Sequence, residues 1–309
     1  MRKKIQWKVT ALAGLAIAAH ISAGFLDLSQ GYNVISFDNT NIINSDIEGK
    51  VAVGGDNNVI KSYSIGLKAD QNTPYSVVSK GNLSLINGSV LNGGIYAGGT
   101  LSVQNANING SVVDNGNNIS SIFDFDAMKS QFTDFSSQLN STVSNGTVTV
   151  NNGTINLIGT SDINFFSLDA NYLKSDWANS LSFQLSNQNS ISIVNVSGFI
   201  GVDQFNLNLY GNNSSKTLLN FTQSNDSFTI LGSLNASVLA PNLDLSFKYG
   251  NVNGQVIANS VSGSSQFNNF LFDYPPSPVP ENSIMFMVIM GTLGLLVIAS
   301  RKKFSAVKK

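Results

Sequence analysis

The chain reads as a mainly β protein: a parallel β-solenoid of 17–18-residue coils, one flanking amphipathic α-helix, and a C-terminal transmembrane helix. Three observations predict this. A seven-residue word recurs at near-constant spacing. One segment alone carries helical periodicity. Both chain ends hold apolar runs beside clustered cations.

The word comes first. Ile47-Glu48-Gly49-Lys50-Val51-Ala52-Val53 is echoed by Leu91-Asn92-Gly93-Gly94-Ile95-Tyr96-Ala97 and by Ile108-Asn109-Gly110-Ser111-Val112-Val113-Asp114. Two further copies are Leu234-Asn235-Ala236-Ser237-Val238-Leu239-Ala240 and Val252-Asn253-Gly254-Gln255-Val256-Ile257-Ala258. Copies starting at Leu91 and Ile108 lie 17 residues apart, and those at Leu234 and Val252 lie 18 apart. That period suits one coil of a solenoid whose aliphatic residues stack on the coils above and below. Asn-Gly pairs at the corners suggest positive-φ turns, and the asparagines suggest an in-register ladder. The competing reading is an antiparallel sandwich with Asn-Gly hairpins. Hairpins do not account for a word repeated at fixed spacing.

The helical segment is Asp124–Val143. Phe125, Met128, Phe132, Phe135, Leu139 and Val143 recur at steps of three and four, one face of a helix. Asp124 or Asp126 is placed to cap it. Strands are expected after it at 147–150, 155–159, 180–185, 190–196, 205–209, 218–221 and 228–231. The helix then divides two blocks of coils, and the downstream block (234–258) is expected to share a sheet with the upstream block (47–114).

The ends read as targeting segments. Arg2, Lys3, Lys4 and Lys8 precede an apolar run to Ala19, and Ile21-Ser22-Ala23 precedes Gly24. This is the pattern of a cleaved signal peptide, with the cut between Ala23 and Gly24. The expected organisation is a signal peptide (1–23), one ectodomain (24–274), a Pro-rich spacer (275–283) and a transmembrane or sorting tail (284–309). Ile284 to Ala299 is apolar and uncharged, and Arg301, Lys302 and Lys303 follow, which predicts an outward-facing body on a membrane helix.

Composition narrows the chemistry. Residues 24–279 hold eight lysines and seventeen acids, a balance near −9, with both arginines outside this stretch. An acidic surface without arginine argues against nucleic acid and anionic lipid. The chain has no cysteine, and its one histidine, His20, lies in the leader. A mature chain without either has no Ser-His-Asp triad, thiol nucleophile or His/Cys metal site, so no catalytic residue and no cofactor is expected. Asp124, Asp126 and Asp244 are the carboxylates left for glycoside chemistry, but a helix cap explains the first pair. Asp46-Ile47-Glu48 and Asp56-Asn57-Asn58 offer oxygen ligands for calcium, though without an EF-hand pattern, and Asx turns explain them as well.

These motifs carry a resemblance. Ser45 to Gly55 resembles the opening motif of the choice-of-anchor A domain family, and Gly93 to Gly99 its second glycine motif. Leu218 to Phe221, Gly232 to Asn242 and Gly250 to Ala258 resemble its closing motif. Together they cover about residues 30–273. The resemblance implies an exported domain held by one of several C-terminal anchors. The tail resembles the PEP-CTERM signal: Val279-Pro280-Glu281, an apolar run, then basic residues. That implies processing by an exosortase-type enzyme, although Asn282 stands where a second proline is expected. The repeat-helix-repeat order is also similar to the helix-flanked solenoid of ice-binding proteins. Ice binding usually uses threonine ladders; Thr147/Thr149 is the only T-x-T here, and the word carries no threonine. The expected role is structural or adhesive, toward extracellular polysaccharide or a matrix protein.

Overall fold

The computed structural model describes residues 24–174, 180–198, 204–222 and 227–275. Ala23, Val279, Pro280, Glu281 and the expected Ile284–Ala299 membrane helix lie outside them. Among the described residues no helix is long and apolar enough to cross a membrane. Phe25–Tyr274 forms one compact unit.

That unit is mainly β, with a curled parallel sheet wound into solenoid-like coils. Twenty strands join one continuous sheet, and four more form a second. Among the described residues the one antiparallel pair is Thr147–Asn151 with Thr154–Gly159, so the sandwich reading fails. The large sheet bends into three faces. On the first, Phe166, Val194, Leu219, Val238, Val256, Val34, Val51, Val77, Ile95 and Val112 form one inward row. Its middle is the junction of Val256 with Val34. The chain therefore starts in the middle of the stack, winds to one end at Val112–Val113, crosses by the helix, and winds back from Ile163–Asp169. Its last coil zips against its first at a seam. The expected sharing of a sheet by the two blocks is realised there.

The second face is built from Ser227–Leu231, the latter halves of Ser237–Lys248 and Val256–Gly263, and then Thr40–Ile47, Asn57–Ile65, Asn82–Ile86 and Leu101–Gln104. The third stacks Val252, Phe267, Ile47, Ile65, Val90 and Ile108.

The first face is buried on both sides, so its strands are buried at consecutive positions rather than alternate ones. Inward residues fill the coil. The outward row Leu239, Ile257, Ile35, Ala52, Val78 and Tyr96 carries the helix Phe125–Ser141. The helix buries Phe125, Met128, Phe132 and Leu139, as its periodicity predicts. Asp124 is the cap: its Oδ1 accepts from the Ala127 amide at 3.0 Å. Val143 lies beyond the helix end and is 85% exposed, because the chain turns away at Thr142. Two asparagines extend the same outward row and pin the helix. Asn220 Nδ2 donates to the Ser136 carbonyl (3.0 Å) and to Asn195 Oδ1 (2.8 Å), and Asn195 Nδ2 donates to the Leu139 carbonyl (2.8 Å).

Three expectations need correction. The coil is 17–18 residues only in part. Val34 to Val51, Val77 to Ile95, Ile95 to Val112 and Val238 to Val256 keep that spacing, but Val51 to Val77 takes 26 residues and Phe166 to Val194 takes 28. The longer turns hold a loop after Ile65 and, downstream, the 3₁₀ turn Ala170–Lys174 with the extra strand Ser180–Leu185. Second, the corner glycines Gly49, Gly110 and Gly254 do not have positive φ; Gly93 does, at +72°. They are glycine because stacked corners almost touch: a Cβ on Gly254 would lie 2.3 Å from the Ala236 carbonyl oxygen. Third, the expected strand 205–209 is two strands, Gln204–Asn206 and Asn208–Tyr210, in different sheets. The asparagine ladder is real at one corner, where Asn268 Nδ2 donates to Asn253 Oδ1 and Asn253 Nδ2 to Asn235 Oδ1, each at 2.6 Å.

Candidate recognition face

The helix covers the first face and leaves the second and third facing solvent; the second is the wall that stacks more strands. Over this face most of its strands alternate. In Asn57–Ile65, Ile60 and buried Asn58 point in while Asn57, Val59 and Lys61 point out; in Asn82–Ile86, Leu83 and Leu85 point in while Asn82, Ser84 and Ile86 point out. Asn58 is tolerated inside because its amide is satisfied: Oδ1 accepts from the Thr40 amide, and Nδ2 donates to the Gly55 carbonyl and to Ser79 Oγ.

The parallel register aligns the outward residues into columns. The central column runs Thr229, Ser246, Ser262, Asn41, Val59, Ser84, Ser102. With parallel strands about 4.8 Å apart, it is a straight ladder of small, mostly hydrogen-bonding groups roughly 29 Å long. One flank carries Ser227, Asp244 and Ser260, then Asn57 and Asn82 beyond the seam. The other carries Ile43, Lys61, Ile86 and Gln104. Two shallow depressions lie along the ladder, about 300 Å³ beside Thr229, Asp244, Ser246 and Ser260, and about 340 Å³ beside Asn57, Asn82, Ser84 and Ser102. Such a wall offers hydroxyls, amides and small apolar patches at a regular pitch. It can hydrogen-bond an extended, hydroxyl-rich ligand or hold ordered water without a deep pocket.

The carboxylates singled out in the sequence hold structural posts. Asp126 pairs with Lys80 at 2.9 Å, and Asp124 caps the helix. Asp244 Oδ1 accepts from Ser260 Oγ and Asn259 Nδ2, both at 2.7 Å. Glu48 Oε2 bonds Lys68 Nζ (2.7 Å) and the Asn269 amide (3.0 Å), while Asp46 Oδ1 accepts from the Ser64 amide. Among the described residues no three His, Cys, Asp or Glu side chains gather as a metal site. Thr147 and Thr149 sit on the antiparallel hairpin, away from the ladder.

Sequence reasoning missed the ladder. The recurring word builds the third-face corner and the first face, whereas the ladder residues lie between the words. Their signal was a faint alternation, and the column crosses the seam from Ser262 to Asn41, which no local spacing reveals.

Fold and wall together define a helix-braced stack of parallel coils with a polar, solvent-facing side. The chain belongs to the family described as "Putative Ice-binding-like adhesive domain", which matches residues 25–269. Among solved structures it is similar to an ice-binding protein from an Antarctic biological consortium, at 14% identity and a TM-score of 0.31 over 87% of this chain and 96% of that one. No curated protein matches.

Proposed function

We propose that this is an exported, non-catalytic adhesive protein of the cell surface, and that its second face grips extracellular polysaccharide or a matrix protein. The observation that carries the reading is the register-aligned ladder from Thr229 to Ser102 on a domain of an adhesive family. Export rests on the leader ending at Ala23, and the family match begins just after it, at residue 25. The finer reading is a choice-of-anchor A ectodomain on a PEP-CTERM-like tail. Val279, Pro280 and Glu281 mark the sorting motif, and Asn282 slows exosortase-type cleavage because it lacks the fixed φ of proline. Part of the population then stays on its 284–309 transmembrane tail.

The test is binding of the 25–274 unit to glycan and matrix-protein arrays, beside variants Thr229→Tyr and Ser84→Tyr that place a bulky ring on the wall. Binding lost in both variants supports the reading; binding unchanged in both removes the wall from it. Turnover of a bound polysaccharide refutes the non-catalytic part. Thermal hysteresis without glycan binding favours the ice-binding-like alternative, in which the same ladder orders water.

A further inference from the structure

The outward row of the first face runs one strand further than the helix that covers it. Leu239, Asn220, Asn195 and Ser167 are in register. The helix ends over the third of them, where Asn195 holds the Leu139 carbonyl, and the chain turns away at Thr142. On the last strand, Ile163–Asp169, Phe166 and Leu168 are buried in the core, while Ser167 and Asp169 are left exposed. The outer edge of this strand is only half covered. The Asp162 carbonyl accepts from the Ile191 amide, whereas the Phe165 amide and carbonyl turn the other way, to Asn145 Oδ1 and the Gly146 amide. Backbone groups alternate along a strand, so the Ser167 amide and carbonyl point to that same outer edge. After Gly146 the chain leaves to pair Thr147–Asn151 with Thr154–Gly159, and a cleft of about 520 Å³ opens there. Val148, Val150, Ser167, Asp169, Tyr172 and Ser197 line it.

We infer that this cleft is a binding site for one neutral pyranose residue. Its lining has two characters. Val148 and Val150 pack on the core and supply methyl groups, and Tyr172, 43% exposed, adds an aromatic ring. The remaining groups are mostly acceptors. Asp169 Oδ1 takes the Asn171 amide at 2.8 Å, and its Oδ2 takes no donor among the described residues. Ser167 and Ser197 add hydroxyls, and Ser167 adds its edge amide and carbonyl. A sugar ring is divided in the same way, with apolar C–H faces and a rim of hydroxyls that donate to a carboxylate or a carbonyl. Charge selects among sugars: no lysine lines the cleft and Asp169 is anionic, so an acidic sugar is repelled. An ammonium group gains little, because a single carboxylate in an open cleft is screened by water. The site binds without cleaving, since hydrolysis takes a second carboxylate across the bond and Asp169 is the one carboxylate among the described lining residues. The inference stands whatever the second face binds.

The experiment is a nuclear magnetic resonance titration of the nitrogen-labelled Phe25–Tyr274 unit, read at the Ser167 amide. The probes are the methyl glycosides of glucose, galactose and mannose, beside methyl glucuronide and butylammonium, each to about 50 mM. The expected result is a saturable shift with at least one neutral glycoside. Asp169→Asn and Tyr172→Ala weaken it at least about tenfold, and Ser84→Tyr on the second face leaves it unchanged. Asp169→Asn keeps an oxygen for the Asn171 amide, so the turn is retained, and circular dichroism checks the fold of each variant. The inference is overturned when no neutral glycoside moves that amide, or when Asp169→Asn leaves binding unchanged. Methyl glucuronide or butylammonium binding as tightly as the best neutral glycoside overturns it too. So does binding lost in Ser84→Tyr, since the sugar then sits on the second face.

Discussion

Replacing Gly254 by alanine tests the stacking of corners most directly. The added Cβ falls 2.3 Å from the Ala236 oxygen, 2.5 Å from its carbonyl carbon and 2.6 Å from the Ser237 nitrogen. All three are backbone atoms, so no side chain can swing aside. A comfortable contact needs about 1 Å more, and the two coils gain it only by separating. Separation strains the bonds that join them: Val238 amide to Gln255 carbonyl (2.7 Å), Asn253 amide to Leu234 carbonyl (2.8 Å), and Asn253 to Asn235 (2.6 Å). At about 1 kcal/mol per weakened bond, with about 1–3 kcal/mol for overpacking, the expected loss is roughly 4–6 kcal/mol. Urea unfolding of the 25–274 unit followed by far-ultraviolet circular dichroism measures it. A loss below about 1 kcal/mol refutes the claim that close approach, rather than backbone conformation, selects glycine there.

Two further outcomes follow. Phe132 is fully buried against Phe25, with ring centroids 5.6 Å apart, so Phe132→Ala is expected to cost about 3–5 kcal/mol by the same assay; a cost under 1 kcal/mol means that the helix is not docked. Burial, and secondarily the charge of Asp46, raises the Tyr63 pKa above its ordinary 10.0, and its hydroxyl donates to the Ser265 carbonyl across the seam at 2.7 Å. The folded state keeps a proton that the unfolded chain releases, so this stabilisation is complete below pH 10 and is lost as pH rises through the folded value. Tyr63→Phe is therefore about 1 kcal/mol less stable than the parent at pH 7, and the gap narrows above pH 10 in thermal melts; a gap constant to pH 11.5 contradicts the burial.

Legibility in the sequence followed locality. The helix from Phe125 was visible because its contacts repeat every three or four residues. The first-face strands were visible because both of their sides are apolar and their corners carry a word. The same reliance on words misplaced one ladder position: Val90, not Leu91, is the residue in register with Ile65 and Ile108, since that corner holds an extra residue. Ile163–Asp169 was missed because Asn164, Phe165 and Phe166 are all buried and show no alternation. The candidate wall was least legible. Its residues are chemically ordinary, and register across strands up to 221 positions apart makes them a surface, as in Ser262 beside Asn41.

The mid-stack seam has a mechanical consequence. In a solenoid that ends at its last coil, tension on the chain end peels one strand from one neighbour. Here the terminal coil is clamped on both sides: Val256–Ala258 lies between Val238–Ala240 and Val34–Ser36, and Val261 between Leu245 and Thr40. A load drawn through Tyr274 meets two rows of hydrogen bonds at once, with Phe272 wedged against Phe25 at the point of exit. A pull on the carboxyl end of the unit therefore has to break two strand interfaces together before the fold unravels.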